Sequence, residues 1–261
     1  MTDKIRITYA GGVATIALNR PAVYNAMDDE MITGFRAAAE AVRDDASVRC
    51  VVLRGEGPAF LAGGDVALFH QRIDELPALI QRLARELHFG VLALRRMAKP
   101  VLASVHGSVA GAGLSLVAAC DLAIAAEGTK FTMAYSRIAT SPDGGGTFFL
   151  ARTLGLKKAM ELALLSDVFD ATTARDLGIV NWVVPATDLG AETERLAQRL
   201  ATGPTVCYGE TKRLLEQAVE QSLETQLESE VQAFVRCART EDLREGVAAF
   251  VAKRKPAFKG R

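Results

Sequence analysis

The sequence predicts an α/β fold with a helical C-terminal layer. Three observations carry this: a Gly-Gly hairpin near the start, short strands interleaved with helical periodicities through about residue 184, and only helical spacing beyond Pro185. Ile5, Ile7 and Tyr9 alternate with polar residues, Gly11-Gly12 supplies a two-residue turn, and Ala14, Ile16 and Leu18 resume the alternation, which makes a β-hairpin. Asp28 is placed to cap a helix whose Met31, Ile32, Phe35, Ala38, Ala39 and Val42 recur at helical spacing. The apolar run Cys50 to Leu53 follows as a strand. An amphipathic helix spans about Leu76 to Met97, and a strand runs from Val101 to Val105 after Lys99-Pro100.

Gly111 to Ala119 reads as a buried helix opening on a glycine turn, and Leu122 to Ala125 as a buried strand. Helices over Leu156 to Leu165 and Thr172 to Leu177 and a strand over Ile179 to Val184 continue the alternation. Three helical stretches close the chain: Leu189 to Ala201, a segment after Gly203-Pro204, and Thr225 to Lys253 with a break near Thr240. The expected division is a core of residues 1–195 that holds the site, followed by a helical region of residues 196–261, with no flexible linker.

A chain of 261 residues buries a sizeable core without a disulfide or metal staple. Lys+Arg and Asp+Glu both number 31, so no net field concentrates a polyanion, and nucleic-acid or membrane-surface binding is a poor expectation. Cys50, Cys120, Cys207 and Cys237 lie far apart, and the opening MTDKIRIT holds no apolar leader, so free thiols in the reducing cytoplasm are expected. His70, His88 and His106 are isolated, which argues against a zinc site. Gly107 to Ala126 is apolar over a membrane-spanning length, but its glycines and Asp121 point to buried core.

Two loops suggest chemistry. In Gly57-Pro58-Ala59-Phe60-Leu61-Ala62-Gly63-Gly64-Asp65 the glycines let a backbone N–H face a ligand oxygen, although a plain turn with Asp65 as helix cap explains the same residues. Val105 to Leu114 leads a strand into a glycine-opened helix, whose free N–H groups and positive dipole end suit an oxyanion; close helix packing is the alternative. Together the loops offer paired donors for a thioester oxygen as it becomes an enolate.

At this point the chain resembles the crotonase superfamily (enoyl-CoA hydratase/isomerase) along nearly its whole length. The resemblance rests on NRPAVYNAM at 19–27, AFLAGGDV at 59–66, VHGSVAGAGLSL at 105–116, CDLAIAA at 120–126, SPDGGGTFFLARTLG at 141–155 and EGVAAFVAKRKPAF at 245–258. It implies a crotonase spiral of ββα units with a C-terminal helical region that forms homotrimers, often paired into hexamers. It also implies an oxyanion hole made by the N–H groups of Gly64 and Ala112. Coenzyme A would follow the backbone near Ala26, Ala62, Gly64 and Asp65, and Phe250 and Lys253 would approach its adenine and phosphates across a subunit contact. Read alone, the basic tail is a solvated end. No separate cofactor and no metal is implied, because coenzyme A arrives as part of the substrate.

The departures from the family pattern are informative. Hydratases resemble this chain but carry glutamates where Ser115 and Tyr135 stand, and neither hydroxyl serves as a carboxylate base at neutral pH. The remaining acid is Asp143, at a position that carries Asp in phenylacetate-pathway enoyl-CoA isomerases and in 4-chlorobenzoyl-CoA dehalogenase. Asp143 also reads as a helix N-cap, Tyr135 as pocket wall or core, Ser115 as a space-filler, and His106 as a structural hydrogen-bonding group. Arg137 and Glu161 either approach the pocket or form ion pairs.

The expected activity is Δ3,Δ2-enoyl-CoA isomerisation in fatty-acid metabolism, with Asp143 as a single proton shuttle. The alternatives are hydration by a non-standard route, thioester hydrolysis, and a catalytically silent CoA-binding scaffold.

Overall fold

The computed structural model describes residues 3–261, so the Met1-Thr2 start of the leader reading lies outside the described residues. β1 (Ile5–Ala10) and β2 (Val13–Leu18) form the expected hairpin, with Ala10 opposite Val13 across the Gly11-Gly12 turn. Helix α1 (Asp29–Asp44) starts where Asp28 accepts the Met31 N–H at 2.9 Å, and it buries the face from Met31 to Val42. Next come β3 (Cys50–Gly55), the short α2 (Val66–Gln71), the long α3 (Leu76–Arg96) and β4 (Val101–Val105). Then follow β5 (Ser108–Ala110), α4 (Ala112–Ala119), β6 (Leu122–Ala126) and β7 (Lys130–Thr132). The chain continues through α5 (Gly146–Leu154), α6 (Leu156–Leu165), β8 (Phe169–Asp170), α7 (Ala171–Asp176) and β9 (Trp182–Val184). It ends in α8 (Leu189–Ala201), α9 (Thr205–Ala218), α10 (Leu223–Ala238) and α11 (Glu241–Val251).

The main sheet has six strands in the order β1-β2-β3-β4-β6-β9, parallel except for the first pair. Alternation in β3 splits its side chains between two cores. Val51 and Leu53 join the α1 and α3 side, and Cys50 and Val52 join Leu189, Leu196, Ala197 and Ala201 of α8 on the other. Each fully buried Leu or Val contributes roughly 1.5–3 kcal/mol of transfer free energy. Gly90 lets α3 cross α1 closely, since a Cβ there would lie 2.7 Å from the Phe35 ring.

A second sheet of three strands, β5-β7-β8, was not legible, because strands of two or three residues carry no periodicity. It lies edge-on to the Gly57–Asp65 loop, which it meets in the Leu61–Val109 bridge. The apolar stretch Gly107 to Ala126 is divided among β5, α4 and β6, and among the described residues no helix is long and apolar enough to cross a membrane. The expected strand at Ile179 shortens to Trp182–Val184. Before it, Asn181 makes a sheet-like exchange with Ala123 by accepting the Ala123 N–H on its side chain and donating its own N–H to the Ala123 carbonyl.

The expected boundary after residue 195 meets a continuous helix. It falls inside α8, whose apolar face completes the sheet core, so the separate helical layer begins at α9. Lys212 anchors α9 by donating to Asp121 (2.8 Å) and to the Leu94 carbonyl (3.1 Å). The basic tail is likewise tied down and is not a loose solvated end. The buried carboxylate of Asp242 accepts the N–H groups of Lys259 and Gly260, and Arg254 pairs with Glu245. All four cysteines are free thiols, and burial pushes the thiols of Cys50 and Cys120 up to about 12.

Candidate active site

The two glycine loops meet. The parallel Met27–Gly64 bridge uses the Met27 N–H to Gly63 O (2.8 Å) and the Asp65 N–H to Met27 O (3.0 Å), which turns the Gly64 N–H to the opposite side. A Cβ added to Gly63, at φ +102°, would lie 3.3 Å from the Ala110 carbonyl and 3.8 Å from the Ala112 nitrogen. The Gly64 and Ala112 backbones therefore line one cavity, of about 560 Å³. Ala112 is tolerated at the helix opening because Gly111 takes the positive φ of +54° and Ala112 is already helical. Its N–H is one of the unpaired first-turn donors at the positive end of α4.

Buried Asn25 holds this arrangement from behind. Its side-chain N–H groups donate to the carbonyls of Glu56, Ala59 and Phe60, and its Oδ1 accepts the Arg20 N–H. Arg20 also contacts the Ala26 carbonyl and pairs with Asp65 at 3.0 Å. The Asp65 side chain caps α2 at the Leu68 N–H, so it supports the loop and does not line the cavity.

Asp143 lines the same cavity and is the one carboxylate among the described residues that do. Its side chain caps no helix: Gly145 occupies the N-cap position of α5, and Asp143 instead accepts the Tyr135 hydroxyl proton at 2.6 Å. Tyr135 lines the cavity. Burial first, and the charge of Asp143 second, raise the phenol's pKa, so it stays a neutral donor. Ser115 is fully buried behind Tyr135, with its hydroxyl 3.2 Å from the phenol oxygen, and so is not in the cavity wall. Ile80, Leu83, Ala84 and Leu87 of α3, with Ile32 and Phe69, form the apolar wall. Their helical spacing was visible in the sequence, but their facing a cavity was not.

Ala62 lines the cavity, and Ala26 does not. Phe250 and Lys253 are not brought to the cavity within one chain; Phe250 is 85% exposed at the end of α11. His106 is structural, its ring within 2.8 Å of the Gly57 carbonyl oxygen. Arg137 lines the cavity rim while donating to the Ser166 carbonyl, and Glu161 pairs with Lys158. Sequence reasoning missed His88, whose Nε2 accepts the Gly144 N–H at 3.2 Å beside Asp143. A larger cavity of about 780 Å³ between α3, α5 and α9 shares none of Gly64, Ala112 and Asp143.

An apolar pocket lined by one carboxylate and by the loop and helix opening that carry Gly64 and Ala112 has the composition of a small-molecule site, with a few polar groups in an apolar wall. Residues 8–261 match the family described as Enoyl-CoA hydratase/isomerase, and the chain belongs to that family, within the crotonase superfamily. It is 38% identical to 1,2-epoxyphenylacetyl-CoA isomerase of Escherichia coli (strain K12), over 96% of each chain. It is 32% identical to trans-2-decenoyl-[acyl-carrier-protein] isomerase of Streptococcus mutans, over 96% of this chain and 95% of the relative. The solved structure of an enoyl-CoA hydratase from Polaromonas sp. JS666 superposes with a TM-score of 0.93 at 35% identity, covering 98% of this chain and 99% of that one. The fold is thus the crotonase fold with its C-terminal helices.

Proposed function

We propose that the protein isomerises Δ3-enoyl thioesters of coenzyme A to their conjugated Δ2 isomers. The observation that carries this reading is the single cavity carboxylate, Asp143, with hydroxyl side chains at both positions where a hydratase has its glutamates. Asp143 takes a proton from the α carbon, the electron pair moves onto the thioester oxygen, and the N–H groups of Gly64 and Ala112 receive the resulting dienolate. The same carboxylic acid then gives the proton to the γ carbon. One group in two successive protonation states suffices, whereas water addition needs a second group to position hydroxide. Coenzyme A is part of the substrate, and the route draws on no separate cofactor.

Assembly into homotrimers, singly or in pairs, fits the same reading. Phe234, Phe250 and Val251 leave apolar area on α10 and α11 that a second copy would cover, and only a neighbouring subunit could bring Phe250 and Lys253 to coenzyme A. Mass measurement in solution checks this, and a stable monomer at micromolar concentration contradicts it. For the chemistry, Asp143→Asn tests the shuttle: the folded variant should lose turnover of a 3-enoyl-CoA by about a thousandfold, within the range of general acid–base contributions. Retained activity in that variant would remove Asp143 from the mechanism.

A further inference from the structure

We propose that Tyr135 is a positioning residue for Asp143: its hydroxyl occupies Oδ1 and leaves Oδ2 as the one oxygen that takes and returns the proton. The inference rests on the isomerase reading for its chemistry but on geometry for its substance. The Tyr135 hydroxyl donates to Asp143 Oδ1 at 2.6 Å. That commits its proton, so at 3.2 Å the Ser115 hydroxyl must be the donor to the phenol oxygen, and the polarity runs Ser115 to Tyr135 to Asp143.

The chain is held from each end. Ser115 is wedged against the loop after Asp143, since a Cβ on Gly146 would lie 2.4 Å from its Oγ and one on Gly144 would lie 3.0 Å from its Cβ. The Tyr135–Ile138 turn sits between two left-handed alanines, Ala134 at φ 55° and Ala139 at φ 58°. Such strain persists only where surrounding contacts over-determine it. Ser166 supplies those contacts, through its hydroxyl to Ser136 at 2.7 Å and its carbonyl to Arg137 at 2.6 Å. On the other flank the Gly144 N–H is fixed to His88. A carboxyl group with one oxygen tied in this way presents the other in a constant direction. Proton removal and return then occur on one face of the substrate, through the same O–H.

Tyr135→Phe keeps the ring and the cavity wall but removes the donor. Losing a charge-assisted hydrogen bond disfavours the carboxylate, so three changes are expected. The kcat for a 3-enoyl-CoA falls about ten- to a hundredfold with KM little changed, as one such bond is worth. The acid limb of the kcat profile moves to higher pH. Deuterium placed on the α carbon, carried over to the γ carbon by the wild-type protein, is exchanged with solvent more completely by the variant. A fourth readout needs no turnover: the midpoint of the ¹³C-carboxyl signal of Asp143 moves to higher pH in Tyr135→Phe, and in the same direction but less far in Ser115→Ala. An unmoved midpoint in a folded Tyr135→Phe would overturn the proposal, as would an unmoved acid limb. A moved midpoint in a protein that does not isomerise would uphold the positioning role and refute the isomerase reading alone.

Discussion

Gly113 of α4 lies so close to Leu61 that a Cβ on the glycine would stand 2.4 Å from the Leu61 carbonyl oxygen. The contact presses the opening turn of α4 onto the loop that carries Gly64, and so sets the spacing of the two donors. Gly113→Ala gains about 0.5–1 kcal/mol of helix propensity. It must also displace a backbone carbonyl that the Ala110 N–H holds at 2.9 Å. Overpacking of this kind costs about 1–3 kcal/mol, so the displaced backbone outweighs the propensity gain. The variant should melt several degrees lower, and it should lose turnover because the donors move apart. Thermal unfolding read beside the isomerase rate checks both.

Gly64→Ala should behave differently. The added methyl would meet Phe69 Cζ at 2.9 Å, the far end of a side chain that can swing away, and Gly64 is not in the left-handed region. Stability should therefore be nearly unchanged, while Phe69 moves into the acyl cavity. A fall in kcat/KM of about tenfold is expected, in line with a one-methylene misfit. Adding Phe69→Leu should recover part of it. A loss that the second change does not relieve would mean that Phe69 is not the obstruction.

Asn25→Ala removes the two N–H donors shared among three carbonyls and the one acceptor of the Arg20 N–H, at a residue with φ 59° that suits Asn better than Ala. A loss of about 3 kcal/mol is expected for a buried group left with unsatisfied partners. Denaturant unfolding measures it, and a loss below about 1 kcal/mol would show that the loop holds itself.

Acid should loosen the C-terminal layer first. Arg236, and then Arg213, hold the Glu210 carboxyl down to about 2, against burial, which raises it. A depressed carboxylate contributes stability above its unfolded pKa near 4.3 and loses it as pH falls toward 2. The pair is solvent-screened, so its worth is about 0.5–1 kcal/mol. Glu210→Gln should lower stability by that amount at pH 7 and by clearly less at pH 2, where the carboxyl is largely protonated in the unfolded chain and partly so in the folded one. An equal effect at both values would assign the loss to packing.

Strands and helices long enough to show periodicity were legible from residues alone, as with the α1 face from Met31 to Val42 and the α3 stripe through Leu83 and Leu87. β5, β7 and β8 were not, because two or three residues define no period and their pairing is set by tertiary contact. At the site, motif resemblance picked out Gly64, Ala112 and Asp143. It could not show that Ser115 stands behind Tyr135, because that depends on the fit of Ser115 against Gly144 and Gly146. Nor could spacing decide between cap and cavity for Asp143. The two readings differ only in which group its side chain meets, and that group is the Tyr135 hydroxyl, eight residues earlier.

Isomerisation by a single carboxylate is put to the test by offering the purified protein a 3-enoyl-CoA and a 2-enoyl-CoA in parallel, with conjugated-thioester absorbance and free thiol followed together. The expected result is rising conjugation from the 3-enoyl substrate, no thiol release, and no consumption of the 2-enoyl substrate. Rapid loss of conjugation from the 2-enoyl substrate would mean hydration, thiol release would mean hydrolysis, and tight binding without change to either substrate would mean a silent scaffold. Each of these would contradict the single-carboxylate isomerase.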